Sequence, residues 1–148
     1  MVRRRGAEWA GFGLVNALAL VLGGRFTGPG VQSAWYQGLS QAPWTPPGWV
    51  FGVAWTVVMV GLTAFMVRAT RTRRLVAVFA LQWALNIAWN PVFFAWRAPW
   101  AGLVVIVALA GTVVGLARLG GRQAVWLVPY LVWLAIATSL NAWIALFN

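Results

Sequence analysis

"QAPWTPPGWVFGVAW", residues 41–55, places three tryptophans and three prolines at the head of a run that stays apolar to Val67. Pro46 and Pro47 suit the first turn of a helix, where the missing proline N–H has no intrahelical partner to lose. The run from Gly48 to Val67 matches the roughly 20 residues that a hydrocarbon layer of about 30 Å requires. The stretch therefore predicts the entry to a transmembrane helix, with the aromatic and proline residues packed around its mouth.

Composition extends that reading to the whole chain. Of 148 residues, 62% are hydrophobic and 8% charged, whereas about a quarter of the residues in a soluble domain carry charge. The length accommodates about five spans with short connections. Cysteine and histidine are absent and Glu8 is the single acid. A nucleophile–His–Asp triad, a carboxylate dyad and a His- or Cys-based metal site are therefore excluded.

Outward from the opening stretch, the first span is expected at about residues 8–24, followed by a connection over residues 25–45 rich in Gly, Pro, Ser and Gln. A short interfacial helix is expected near Gln32–Leu39. The second span is expected at about 46–67, the third at 75–96 with Pro91 inside it, the fourth at 100–119 and the fifth at 124–147 with Pro129 inside it. The basic start "MVRRRG" before an apolar segment also matches the first two parts of a secretory signal, although no convincing small-residue cleavage site follows.

All eleven basic residues are arginine. They are dispersed between apolar segments rather than gathered into the single patch that nucleic-acid binding requires, and such juxtamembrane arginines fix topology and touch anionic headgroups. Nine of them, at 3–5, 68, 71, 73, 74, 118 and 122, fall on one side of the expected spans, against Arg25 and Arg97 on the other. The positive-inside rule then puts the N-terminus in the cytoplasm and the C-terminus and tryptophan-rich loop on the opposite side.

Two spans carry polar residues in register. In "LQWALNIAWNPVFFAW", Gln82, Asn86 and Asn90 recur every four residues beside Trp89, which stacks three amides on one helical face. In "VPYLVWLAIATSLNAWIALFN", Tyr130, Trp133, Ala137, Thr138 and Asn141 follow spacings of three and four. Such faces serve either helix–helix hydrogen bonding or a cavity wall. Trp55 and Trp133 lie inside their spans, whereas Trp9, Trp96, Trp100 and Trp126 fit an interfacial belt; Trp35, Trp44 and Trp49 fit belt or lid. Indoles, amides and alkyl groups without carboxylate or imidazole suit a large flat apolar ligand. A porphyrin meets that description, with Arg25 or Arg97 available for its propionates. Axial ligation of haem would fall to Met59 or Tyr130, both weak ligands, so metal-free porphyrin is an equal candidate. "GTVVG" (111–115) and the Gly48–Gly52 pair share the GxxxG spacing of helix-packing faces.

Together, "WYQGLSQAPWTPPGWVFGVAW", "LNIAWNPVFF" and "PYLVWLAIATSLN" resemble the signatures of the TspO/MBR family, the tryptophan-rich sensory proteins and mitochondrial translocator proteins. The resemblance implies an all-α, five-helix membrane bundle, usually dimeric, that binds porphyrins without a required cofactor. It places Trp55, Gln82, Asn86, Trp133 and Ala137 in the pocket and Trp35, Pro43, Trp44, Pro46, Pro47 and Trp49 over it. Two positions depart from the family pattern, Met59 in place of a tyrosine and Ala42 in place of a lysine. Two further readings follow from the family: light-dependent porphyrin degradation using Trp55 and Trp133 as the catalytic candidates, or porphyrin transport. No intramembrane carboxylate is available to drive proton-coupled pumping.

Overall fold

The computed structural model describes residues 2–148, with side chains from Gly6 onward. Arg3, Arg4 and Arg5, used above for orientation, lie outside the described side chains. The elements are α1 (Val2–Gln32), α2 (Ala34–Gln37), α3 (Gly48–Arg68), α4 (Arg73–Asn90) with a π-helical turn at Pro91–Ala95, α5 (Pro99–Gly120), a 3-10 segment at Gly121–Leu127 and α6 (Val128–Phe147). Four continuous helical stretches are long and apolar enough to cross a membrane, the last being the 49-residue stretch Pro99–Phe147. That last stretch turns at Gly121, and α5 and α6 pack against one another.

The five long helices form a ring in the order α1, α3, α6, α5, α4, which closes through contacts between α4 and α1. Every member of the ring contributes a wall to the interior, so residues far apart in sequence meet there. The pattern of buried residues follows: Leu62, Phe65 and Met66 of α3, Leu109, Val113 and Leu116 of α5, and Tyr130 and Leu134 of α6 are all essentially inaccessible.

The structure corrects several expected boundaries. The first helix does not stop near Gly24 but runs to Gln32 through Pro29, so Arg25 lies on a helix rather than in the loop. At about 1.5 Å per residue, α1 is about 46 Å long and extends beyond the end of a hydrocarbon layer. The connection to α3 shrinks to residues 33–47, with α2 inside it, capped by Ser33 Oγ accepting from the Tyr36 N–H at 3.2 Å. Pro46 and Pro47 precede α3, Pro47 serving as its N-cap. Pro129 does not interrupt the last span either; it occupies the first turn of α6, where a proline is tolerated.

Pro91 has the larger effect. It cannot donate to the Ile87 carbonyl, and α4 gives way to a wider turn in which the Trp96 N–H reaches the Pro91 carbonyl at 2.9 Å. Asn90 Nδ2 partly compensates, reaching the Ile87 carbonyl at 3.5 Å while it also donates to the Asn86 carbonyl at 3.0 Å. The wider turn carries Phe93 and Phe94 into the interior, against Gly30 of α1. A Cβ at Gly30 would lie 2.4 Å from Phe94 Cδ1 and 2.8 Å from Phe94 Cβ. At the other end of the bundle, Gly61 lets α3 approach the 3-10 segment, since a Cβ there would lie 2.5 Å from the Trp126 carbonyl oxygen. Gly121 turns the chain at φ 54°, a region that side-chain-bearing residues avoid.

Gly30→Val is therefore expected to destabilise the fold by about 1–3 kcal/mol through overpacking, read as a lower thermal midpoint in detergent. Gly111→Ala, where no atom lies within 4 Å of the added carbon, is expected to leave that midpoint unchanged or slightly raised.

Candidate functional site

The interior of the ring holds two joined spaces. The larger, of about 560 Å³, opens between α1 and α3 beneath the α2 loop; its wall includes Gly24, Thr27, Tyr36, Thr45, Pro46, Gly52 and Asn90. The smaller, of about 50 Å³, lies deeper among the aromatic rings of Trp89, Phe93 and Trp133, with Ala137 and Asn141 beside them. Tyr36, Phe51, Trp55 and Asn86 belong to both walls, so the two spaces form one tapering cavity. Among the described residues, no arginine or carboxylate lines either space.

Glycine shapes the wide end. Gly24 and Gly28 of α1 and Gly48 and Gly52 of α3 all border the larger space, and none has an atom within 4 Å of an added Cβ. Two helices that would otherwise fill the gap with side chains leave it open instead.

Aromatic packing shapes the narrow end. Trp55 meets Tyr130 edge-on with centroids 6.0 Å apart and Trp133 at 6.4 Å, and Trp133 meets Phe51 at 5.3 Å. Trp89 stacks nearly parallel on Phe93 at 5.1 Å. These contacts hold the rings by their edges and neighbours, and Trp35 and Tyr36 of the loop add contacts to Phe93. Trp133 Nε1 is buried with no partner among the described residues.

A chain of hydrogen bonds backs this wall. Thr27 Oγ1 of α1 donates to Asn90 Oδ1 at 2.6 Å, and Asn86 Nδ2 and Gln82 Nε2 donate to Tyr130 Oη at 2.8 and 2.9 Å. Trp89 Nε1 donates to Asn141 Oδ1 at 3.0 Å, and Asn141 Nδ2 donates to the Pro99 carbonyl at 2.8 Å. The amide stripe of α4 thus joins α1 to α6, and Trp89 is oriented by a residue on α6. Burial pushes the Tyr36 phenol above its ordinary range, so at neutral pH it faces the cavity as a hydroxyl.

Of the residues singled out from the sequence, Trp55, Asn86, Trp89, Asn90, Trp133 and Ala137 border the cavity. Gln82 does not; it is fully buried behind Tyr130, which it hydrogen-bonds. Tyr130, weighed as an iron ligand, receives both amides and borders neither space, and Met59 is buried in the apolar core. Arg25 and Arg97 are exposed and border neither space.

The loop residues divide differently from expectation. Pro43, Trp44, Pro47 and Trp49 are exposed, Trp49 to 71%, and Trp35 packs on Phe93 with centroids 5.9 Å apart. None of the five borders the cavity, whereas Tyr36, Gln41, Thr45 and Pro46 do. Trp44 instead fastens the loop to α6: its Nε1 donates to Ser139 Oγ at 3.1 Å and its ring packs edge-on against Trp143. Asn148 makes a second fastening, its Oδ1 accepting from the Ser40 N–H at 2.8 Å and its Nδ2 donating to the Ser40 carbonyl at 3.2 Å. Sequence reading missed Thr27 and Val31 because it ended the first helix early, and Tyr36 because a short loop helix carries no local sign of which side faces the bundle. It missed Phe51, Phe93 and Phe94 because an apolar ring in a span carries no local sign of which way it faces.

The TspO/MBR family model matches residues 12–146. The chain is 38% identical over 144 residues to the translocator protein of Homo sapiens, covering 88% of this chain and 84% of that one. It is 36% identical over 137 residues to the tryptophan-rich protein TspO of Chlorobaculum tepidum, covering 85% and 86%. It is also 33% identical over 114 residues to the tryptophan-rich sensory protein of Cereibacter sphaeroides, covering 72% of each.

Tyr130→Phe leaves the buried amides of Gln82 and Asn86 without their acceptor and is expected to cost about 1–3 kcal/mol per orphaned donor, measured by thermal unfolding in detergent. Asn148→Ala combined with Trp44→Phe removes both loop fastenings. The expected outcome is faster amide hydrogen exchange across residues 38–46, with protection of α4 and α5 unchanged.

Proposed function

The chain belongs to the TspO/MBR family, and from that premise we propose a multi-pass membrane receptor that binds a porphyrin, protoporphyrin or a haem-like tetrapyrrole, inside the helix ring. Its five long helices each cross the bilayer, with the arginine-rich end in the cytoplasm, and the functional unit is a homodimer in a bacterial membrane. No resident cofactor is required; the porphyrin is the ligand.

The observation that carries this reading is the tapering cavity itself. Its larger part, about 560 Å³, lies within the range of small-molecule sites, roughly 300–1,000 Å³. The wall offers ring faces and edges for a flat apolar body, with amides and hydroxyls at few points to orient it. Trp133 Nε1, buried and without a partner among the described residues, is a donor that a ligand acceptor would satisfy. The propionates would project from the wide end past the glycines toward headgroups and water, since no arginine among the described residues borders the cavity. The alternative, light-dependent degradation of the bound porphyrin, draws on one specific feature: Trp55 and Trp133 are adjacent, with centroids 6.4 Å apart, and both border the cavity.

Titration of the purified protein with protoporphyrin IX in the dark is expected to quench tryptophan fluorescence saturably. Trp55→Ala is expected to weaken binding roughly tenfold, from the loss of about 1–2 kcal/mol of ring contact. Absence of saturable quenching in the wild type would sink the receptor reading. Illumination separates the two readings: an unchanged porphyrin spectrum supports binding alone, and a photoproduct that Trp55→Phe and Trp133→Phe both abolish supports chemistry.

A further inference from the structure

The other end of the bundle carries a second constellation that the cavity does not use. Arg68, the last residue of α3, lies about 20 Å along the helix from Trp55. Its guanidinium carbon is 5.2 Å from the ring centroid of Trp9 on α1 and 4.6 Å from that of Trp126 in the 3-10 segment. We infer that Arg68, held between these two indoles, is a binding site for the phosphate of an anionic lipid headgroup.

Geometry supplies the first argument. A guanidinium stacked on indole faces uses its π surface, and its N–H donors remain at the edge of the plane. Arg68 makes no hydrogen bond to any described residue and is exposed. The side chain is thus fixed in place with its donors unspent. Much of the ordering cost of gripping a phosphate is met before the phosphate arrives.

Charge supplies the second. Glu8 is the only carboxylate side chain in the protein, and it is paired with Arg71. Arg71 also donates to the Met66 carbonyl at 3.4 Å and packs over Phe12. Arg68 is left without an internal counter-ion, in a field to which exposed Arg73, Arg74, Arg118 and Arg122 add. An anion is the complement of such a site, and a planar fork of N–H groups fits phosphate oxygens.

The surroundings favour a lipid over a free ion. Trp9 and Trp126 remain 38% and 39% exposed, and Val125 and Val128 beside Trp126 are exposed to 64% and 51%. A headgroup phosphate on Arg68 would place its glycerol and upper acyl chain against these apolar surfaces. Inorganic phosphate shares the headgroup chemistry but gains nothing from them.

The test uses the full chain in detergent, titrated with phosphatidylglycerol or with phosphatidylcholine and followed by native mass spectrometry and thermal shift. Saturable binding and stabilisation by phosphatidylglycerol above phosphatidylcholine are expected. Arg68→Lys, which keeps the charge but loses the fork, is expected to weaken that binding roughly tenfold. Arg73→Lys is expected to change it less than twofold. Trp9→Leu, which keeps Arg68 and removes one stacking face, is expected to weaken it severalfold, which guards against an Arg68 variant that fails to fold. The inference is overturned if Arg68→Lys and Trp9→Leu bind as wild type, or if Arg73→Lys costs as much as Arg68→Lys, the mark of a diffuse field. It is overturned as well if millimolar inorganic phosphate displaces the lipid completely and stabilises equally, which would assign the site to the free ion.

Discussion

The hydroxyl of Tyr130, clasped by the amides of Gln82 and Asn86, is the interaction on which the interior depends. In a low-dielectric interior an amide without a partner costs more than in water, so a helix that carries a stripe of them must meet acceptors on its neighbours. Tyr130 meets that demand from α6 for Gln82 and Asn86, while Thr27 of α1 donates to Asn90 Oδ1 and Asn141 of α6 accepts from the Trp89 indole. Once these are joined, α4 is tied to α1 beside it and to α6 across the ring, and the faces left over enclose a space rather than collapse on it. Trp55 and Trp133 line that space because Tyr130 and Phe51 hold their edges.

A second constraint works through backbone approach. Pro91 widens the end of α4 into a turn that swings Phe93 and Phe94 inward, and Gly30 gives them room. This part of the cavity wall is therefore shaped by a glycine of α1 and the proline at the end of α4, neither of which borders the cavity itself. At the opposite end, Gly61 and Gly120 let α3 press on the turn between α5 and α6. This close approach brings Trp126 to Arg68. The wide end of the cavity and the arginine-rich end are thus separate regions of one bundle, each organised by a few close contacts.

Much of the architecture was legible in the sequence because a membrane imposes local rules. Apolar run length marked the helices, and the four-residue spacing of Gln82, Asn86 and Asn90 marked a polar face, to within a turn. Helix ends were less legible. The Gly-, Pro-, Ser- and Gln-rich composition after residue 24 reads as a connection, yet α1 continues through Pro29 to Gln32, since the helix tolerates the one bond lost. Of the three amides, Asn86 and Asn90 reach the cavity and Gln82 does not. A four-residue step rotates a helix by about 40° beyond a full turn, and a stripe drifts out of a wall as it descends. The loop tryptophans were legible as aromatic and exposed, but Trp44 turned toward Ser139 for a reason that lies 95 residues away.

By itself the sequence determined the medium and the chemistry available. Without histidine, cysteine or aspartate, and with one glutamate, the chain could offer a ligand only rings, amides, hydroxyls and arginines. Three motifs in order also specified the family. Tertiary structure alone decided which of those groups share a space. Trp55, Asn86 and Trp133 face one cavity, Gln82 turns to Tyr130, and Arg68 finds Trp9 and Trp126. Periodicity reports the face of one helix, whereas a cavity is the set of faces left unpaired when five helices have closed on one another.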